Sequence, residues 1–141
     1  MVVPPEKCGP DIFQPVVGRG SAFADIDGDG DLDAIITQVG GVPLLLRNDQ
    51  ELHSHWIRLK LVGTKSNRDA IGAWIQVRIG DQTLWRQVMP SRGYFSQSEL
   101  PVTIGLGRVA RPDIVEITWP GGSKQKVDTI NLDAVTVVTE K

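Results

Sequence analysis

The chain has 141 residues, of which 40% are hydrophobic and 23% charged, and its formal net charge is -2. This composition is typical of a globular protein with room for one domain, or for one domain with an appended fragment. The longest apolar runs fall far short of the roughly 18 residues that span a bilayer, so no transmembrane helix is predicted. Cys8 is the only cysteine, which excludes an internal disulfide and a thiolate metal site.

The charges are unevenly distributed along the chain. Residues 1–50 carry eight acidic and three basic side chains, whereas residues 51–141 carry nine acidic and twelve basic ones. The change of sign predicts an N-terminal segment, residues 1–50, followed by a C-terminal domain, residues 51–141. The basic residues form no cluster, so no nucleic-acid partner is predicted. The first ten residues have neither a basic nor an apolar region, so no signal peptide is predicted either.

The first distinctive motif is the stretch DIDGDGDLD, Asp25 to Asp33, with five carboxylates in nine residues between two apolar, strand-like runs. Neighbouring carboxylates a few ångströms apart repel each other by roughly 1 kcal/mol per pair even in water. Alternate residues of a tight loop point their oxygens at a shared centre, and a glycine at the sixth position, Gly30, permits the sharp turn that closes the loop. The pattern therefore predicts a cation site.

The loop supplies carboxylate ligands at alternate positions, and a residue between them adds a backbone carbonyl. The carboxylates are Asp25, Asp27, Asp29 and Asp33, and the carbonyl is that of Asp31. Oxygen ligands without histidine or cysteine favour Ca²⁺, or less well Mg²⁺ or Mn²⁺, over Zn²⁺ and copper.

An EF-hand and a solvated acidic turn are the alternatives to this metal site. The loop is not an EF-hand, because Ile36 stands where that motif needs a glutamate and because strands flank the loop instead of helices. The remaining alternative is a solvated acidic turn without a metal. No nucleophile or general base is recognisable beside the loop, so we expect a structural metal.

His53 and His55 lie two residues apart at the start of the next predicted strand, a spacing at which two imidazoles can share a transition metal. The sequence shows no third ligand for them. A linker with two exposed imidazoles is therefore the favoured interpretation.

Six runs of β-branched and aromatic residues alternate with a period of two and predict strands. They are Trp56–Val62, Ala73–Ile79, Gln82–Val88, Val102–Leu106, Asp113–Trp119 and Ala134–Thr139. Glycine, proline, aspartate and asparagine separate these runs, and no segment has a sustained period of 3.6 residues. The chain is therefore predicted to be all-β.

The clearest hairpin spans residues 73–88, with Gly80-Asp81 as a two-residue loop suited to a type II′ turn. The predicted pairs are Ile79 with Gln82, Val77 with Leu84 and Ile75 with Arg86, which put Ile75, Val77, Leu84 and Val88 on one face. The opposite face carries Trp74, Gln76, Arg78, Thr83, Trp85 and Gln87. Trp74 and Trp85 fit two interpretations: a platform on which a ligand such as a sugar stacks, or packing residues, which large aromatic side chains more often are.

The remaining loops contain further polar and glycine-rich motifs. A polar loop between two predicted strands contains Ser91, Arg92, Tyr94, Ser96, Ser98 and Glu99. Loops on a rigid scaffold often bind ligands, but no positioned base makes its serines nucleophiles. Gly105 and Gly107 lack the following helix of a dinucleotide site and indicate a bulge or strand end. Residues 120–123, PGGS, predict a return into a further strand.

Two known families resemble parts of this sequence. The run GRGSAFADIDGDGDLDAIITQVGGVPLLLRND, Gly18 to Asp49, resembles an FG-GAP/VCBS repeat, the blade unit of integrin-α-type β-propellers. The segments HWIRLKLVGTKSNRDAIGAWIQVRIG, SRGYFSQSE, TIGLG and VEITWPGG resemble the ASPIC/UnbV domain of cartilage-acidic-protein-like proteins. Together they cover nearly all of the chain after residue 17. The resemblance implies a Ca²⁺ site at Asp25, Asp27, Asp29, Asp31 and Asp33, and an extracellular or periplasmic setting.

The expected architecture is one propeller-blade-like calcium-loop repeat packed on or next to a β-sandwich-like C-terminal domain. A propeller typically has four to eight blades and the sequence contains one acidic loop, so we expect the C-terminal end of a larger propeller protein, or a truncated reading frame.

The expected function is that of a noncatalytic calcium-binding adhesion or interaction module with a protein or glycan partner. The alternative is a carbohydrate-binding or accessory domain of a polysaccharide-active enzyme. Exposed sheet edges also predict self-association.

Overall fold

The computed structural model describes residues 8–49, 53–109 and 111–141. These residues form ten β-strands and a short 3-10 helix, Pro10–Phe13, which confirms the all-β class. None of the described helical residues makes a helix with the length and apolarity needed to cross a membrane. The described residues group into two compact units, residues 8–49 with Ser91–Ser98 and the remainder of the chain.

The first unit is built on a three-stranded antiparallel sheet in the order β1-β2-β3. Its strands are β1 (Gly18–Ala24), β2 (Asp33–Gln38) and β3 (Leu44–Leu46). Ala24 pairs with Asp33 at the last rung between β1 and β2. The acidic loop is therefore the connection of this hairpin, as the apolar runs on either side of it predict.

The segment Ser91–Ser98 belongs to the first unit although it lies within the predicted C-terminal domain in sequence. The backbone N–H of Ser21 donates to Ser96 Oγ at 2.9 Å, and that of Phe23 donates to Ser98 Oγ at 3.1 Å. Alternate N–H groups of a strand point to the same edge, so two serines spaced two apart match them. The two hydroxyls therefore accept hydrogen bonds from backbone N–H groups at the edge of β1, a role that the sequence does not predict.

The second unit contains two sheets. One has the order β10-β4-β7 and consists of β10 (Val135–Thr139), β4 (His55–Val62) and β7 (Val102–Gly107). The other has the order β6-β5-β8-β9 and consists of β6 (Gln82–Gln87), β5 (Trp74–Ile79), β8 (Ile114–Thr118) and β9 (Lys124–Lys126). β10 runs parallel to β4, and the other described pairs are antiparallel.

The inner faces of these two sheets share one hydrophobic core. Its fully buried members include Ile57 and Leu59 of β4, Ile75 and Val77 of β5, and Ile117 of β8. These side chains alternate with more exposed ones along each strand, as one buried sheet face requires. The unit is therefore the β-sandwich-like arrangement that the alternating runs predict.

Three local predictions in this unit are confirmed. The three hairpin pairs form as predicted, and Gly80 has a φ of 55°, the positive value that a type II′ turn needs at its first central position. The return at PGGS forms, with the N–H of Trp119 donating to the carbonyl of Ser123 at 2.9 Å. The register of β4 and β7 shifts opposite Gly105 and Gly107, which marks the predicted bulge.

Glu140 anchors the end of β10 to the turn after β4. Its Oε2 accepts hydrogen bonds from the backbone N–H groups of Thr64, Lys65 and Ser66 at 3.0, 2.9 and 2.7 Å. Its Oε1 accepts one from the Ser66 hydroxyl at 2.9 Å. Burial raises the pKa of Glu140, but these four donors together outweigh burial and lower the pKa to about 2, because they stabilise the charged form.

We expect Glu140→Gln to lower the melting temperature at neutral pH and to weaken its dependence on pH. A carboxyl group with an ordinary pKa of 4.5 and a folded pKa of about 2 contributes stability that is present in full above the ordinary value. That contribution disappears as the pH falls from 4.5 toward 2, so the difference in melting temperature between wild type and variant narrows in this window. Thermal unfolding followed by circular dichroism measures it, and a constant difference contradicts the assignment.

Candidate metal centre

The acidic loop brings three carboxylates to one point. Ligand oxygens of Asp25, Asp27 and Asp29 all lie within 4.8 Å of one another. Oxygens bind Ca²⁺ at about 2.3–2.6 Å, so two oxygens on opposite sides of one ion lie up to about 5 Å apart. The three oxygens therefore fit around a single ion, and their hard-donor chemistry suits Ca²⁺, Mg²⁺ or Mn²⁺.

Backbone hydrogen bonds shape the loop around its first aspartate. Asp25 Oδ1 accepts from the N–H of Gly28 at 2.7 Å, and its Oδ2 accepts from the N–H of Gly30 at 3.2 Å. Asp29 Oδ1 accepts from the N–H of Asp31 at 2.8 Å. Gly28 and Gly30 have φ values of 81° and 96°, a region that strains other residues. The requirement for glycine at the sixth position is thus confirmed.

Asp33 lies outside this cluster and has a different environment. It is 1% exposed, its Oδ2 accepts from the N–H of Ile26 at 2.9 Å, and its Oδ1 accepts from the N–H of Asn48 at 2.9 Å. Asp33, the first residue of β2, is thus hydrogen-bonded both to the start of the acidic loop and to the segment after β3. Asp31 is half-buried and is not part of the cluster either. Their roles as metal ligands remain predictions.

Arg47 interacts electrostatically with the loop. Its Nε lies 2.6 Å from Asp49 Oδ1, and its Nη2 donates to Asp49 Oδ2 at 3.2 Å. The hydrogen bonds and charge of Asp49 raise the pKa of Arg47, and the charges of Asp27 and Asp33 raise it further. One guanidinium already paired with Asp49 does not balance five loop carboxylates, whereas a divalent ion reverses their mutual repulsion.

The two histidines that the sequence singles out lie at or just before the start of β4, where His55 has a carboxylate neighbour. His55 Nδ1 lies 2.8 Å from Asp133 Oδ2, and the N–H of Trp56 donates to Asp133 Oδ1 at 3.0 Å. The Trp56 N–H and the His55 ring lower the pKa of Asp133. Within the described ranges, neither His53 nor His55 joins a group of three ligating side chains. His55 is the first residue of β4 and is half-buried, so it lies in a strand and not in the linker that the sequence favours.

Trp74 and Trp85 lie together on the outer face of the four-stranded sheet. Their ring centroids are 6.4 Å apart with an interplanar angle of 76°, and the residues are 43% and 48% exposed. With Thr118 they line a shallow cleft of about 390 Å³. The sequence favours a packing role for these side chains, but neither indole is buried. The part played by Thr118 is not predictable, because the sequence does not tell which strand pairs with the other side of β5.

The comparison with known families bears on the second unit. The ASPIC and UnbV family matches residues 63–141, more than half of the chain. The chain belongs to the ASPIC and UnbV family. The matched segment begins directly after β4. It includes the polar segment whose serine hydroxyls accept hydrogen bonds from the edge of β1. This match confirms one of the two resemblances, and the FG-GAP/VCBS resemblance stays a prediction. No curated protein matches the chain.

Proposed function

We propose that the chain is a noncatalytic, calcium-binding interaction module of an extracellular or periplasmic protein, in which Ca²⁺ has a structural role. The observation that carries this proposal is the convergence of oxygens from Asp25, Asp27 and Asp29 in the hairpin loop between β1 and β2. An ion held there attracts carboxylates that otherwise repel one another in the loop that connects the two strands of the hairpin. Asp31, through its carbonyl, and Asp33 complete the proposed ligand set.

The first unit is proposed to be an FG-GAP/VCBS-type repeat. Antiparallel strands on both sides of the acidic loop support this assignment. So does the exposure of Phe23 on one face of the sheet and of Ile35 and Leu45 on the other, each at 40% or more. Blades of a propeller bury both faces against neighbouring sheets. Blades typically have four strands, whereas the described residues of this unit form three.

The noncatalytic role is supported by the family, whose domain looks noncatalytic. The extracellular or periplasmic setting is supported by the chemistry of the site, because millimolar Ca²⁺ outside cells saturates even a weak site. The partner is proposed to be a protein or a glycan. Self-association is proposed as a second property of the same module, since β10 lies at a sheet edge among the described strands and its Val135 and Val137 are exposed.

A second candidate function is carbohydrate binding, either in its own right or as the accessory domain of a polysaccharide-active enzyme. The exposed pair of Trp74 and Trp85 favours it. Catalysis by the acidic loop is not part of this candidate, because carboxylates committed to a cation are poor proton donors.

Calcium is expected to stabilise the first unit by about 2 kcal/mol, for ~2 mM Ca²⁺ and a dissociation constant on the order of 10⁻⁴ M. Differential scanning calorimetry of the full chain in CaCl₂ and in EDTA measures the effect. Hydrogen exchange shows whether the added protection lies in β1 and β2. Mg²⁺ at the same concentration is expected to give a smaller shift.

Asp27→Asn removes one proposed ligand and is expected to abolish the difference between calcium and EDTA. The matched control is Asp49→Asn, which removes an exposed carboxylate of the same unit that pairs with Arg47 and is expected to keep the calcium response. Wild-type protein that melts identically in calcium and in EDTA contradicts the proposal.

A further inference from the structure

The outer face of the four-stranded sheet presents an exposed aromatic pair, Trp74 and Trp85. Their planes meet at 76°, so one indole forms the floor and the other the wall of the cleft that they share with Thr118. Indole side chains are usually buried more deeply than these two, which are 43% and 48% exposed, so the pair indicates a binding surface. A larger cleft of about 520 Å³, formed by residues 111–115, 126–128 and 130, has no aromatic side chain among these lining residues.

Polar side chains of the same face surround the indoles. The register of β5 and β6 pairs Gln76 with Trp85. It also places Gln87 on one side of Trp74, while Thr118 lies on the other side. Amides and hydroxyls both donate and accept hydrogen bonds, as the hydroxyl groups of a sugar require. The C–H groups of a pyranose carry a small positive charge and the indole face a negative one, so a sugar ring stacks on an indole.

The charged side chains of this face are mainly cationic. The register of the four strands places on it Arg78, Lys124, Lys126 and Glu116. Lys124 Nζ lies 3.2 Å from Glu116 Oε1, so these two charges offset each other. Arg78 and Lys126 are exposed and add positive charge to the face that carries the indoles. The face therefore complements a ligand that carries spaced negative charges.

We propose that this face binds an anionic polysaccharide whose sugar rings stack on Trp74 and Trp85 and whose carboxylate or sulfate groups contact Arg78 and Lys126. A nucleic acid is less suited, because following its phosphates needs a dense row of cations. The proposal specifies the partner of the interaction module, and it uses no residue of the acidic loop. Failure of the calcium proposal therefore leaves it intact.

The test titrates the full chain with two anionic probes, a hexagalacturonate and a sulfated dextran oligosaccharide, in EDTA so that no calcium bridges the ligand. Tryptophan fluorescence and binding heat report the affinity. Saturable binding of at least one probe is expected, and Trp85→Ala is expected to weaken it by about tenfold or more. Trp85→Phe keeps an aromatic face and retains most of the affinity.

The charge variants provide an independent arm of the test. Arg78→Gln combined with Lys126→Gln is expected to weaken binding and to reduce its dependence on salt. Both side chains are exposed, so this variant folds even where an indole variant does not. Lys60→Gln is the matched control, since it removes an exposed charge from the other sheet of the same unit, and it is expected to leave the affinity unchanged.

Four results overturn the proposal. The first is that neither probe binds saturably, and the second is that a folded Trp85→Ala variant keeps the affinity of the wild type. The third is that the carboxyl-reduced, neutral hexasaccharide binds with the same affinity as the hexagalacturonate. The fourth is that a single-stranded thymidine oligomer binds more tightly than the probes and depends on Trp85 in the same way. The last result identifies a nucleic-acid surface instead.

Discussion

Asp33→Ala is expected to lower the free energy of unfolding of the first unit by about 2–5 kcal/mol in EDTA, and by more in calcium, where the variant also loses a proposed metal ligand. The carboxylate is buried and accepts the backbone N–H groups of Ile26 and Asn48, and alanine leaves both donors without this acceptor. Hydrogen exchange of the β1 and β2 amides measures the loss, because it reports the opening of this unit alone.

Two further variants bracket the effect of Asp33→Ala. Asp33→Asn keeps one acceptor oxygen and is expected to lose less stability. Asp49→Ala, which removes an exposed carboxylate of a surface ion pair, is expected to cost at most about 1 kcal/mol. A loss that appears with calcium and vanishes in EDTA contradicts the anchoring role and identifies Asp33 as a metal ligand first.

Glu99→Ala is expected to cost about 3–5 kcal/mol in the second unit, because it leaves the Arg58 guanidinium buried without its carboxylate. The side chains of Arg58 and Glu99 are only 9% and 16% exposed, and they form an ion pair. Urea unfolding followed by tryptophan fluorescence measures the loss, since Trp56, Trp74, Trp85 and Trp119 all lie in this unit.

The pair of Lys124 and Glu116, 3.2 Å apart, whose lysine side chain is 65% exposed and whose glutamate is half-buried, is the matched control for the buried pair. Lys124→Ala is expected to change the free energy of unfolding by at most about 1 kcal/mol, because solvent screens that interaction. The double variant Arg58→Met with Glu99→Leu replaces both charges by apolar side chains and is expected to recover most of the stability. Equal, small losses for Glu99→Ala and Lys124→Ala contradict the assignment of a strong buried pair.

Local features of the fold were predictable from the sequence because neighbouring residues determine them. The hairpin register follows from the Gly80-Asp81 turn and from alternation in β5 and β6. The turn of the acidic loop follows from the spacing of its glycines, which have the positive φ values expected. In both cases the deciding contacts join residues a few positions apart.

Contacts between distant segments were not predictable in this way. Ser96 and Ser98 bind a strand 75 residues earlier, and Glu140 binds a turn about as far away. A serine pair and a glutamate near the end of a strand are ordinary in loops and edges, so composition and periodicity contain no signal of their partners. The parallel pairing of β10 with β4 was not predictable either. Alternation of apolar and polar residues shows which face of a strand is buried, but it does not show which strand lies next to it.

The candidate site was predictable in part for the same reason. The crowding of aspartates singles out the loop, and Asp25, Asp27 and Asp29 do converge. The alternate spacing of the aspartates alone does not show which carboxylates point into the centre of the loop and which accept hydrogen bonds from the backbone. Asp33 begins β2 and pairs with Ala24, so its carboxylate lies within reach of backbone donors from two other segments.

The most direct test of the structural-calcium account is a crystal structure of the full chain grown with excess CaCl₂, with anomalous diffraction data. The account predicts one anomalous peak between β1 and β2, at about 2.3–2.6 Å from carboxylate oxygens of Asp25, Asp27 and Asp29. A loop whose three carboxylates point apart, with only water between them at saturating calcium, contradicts it.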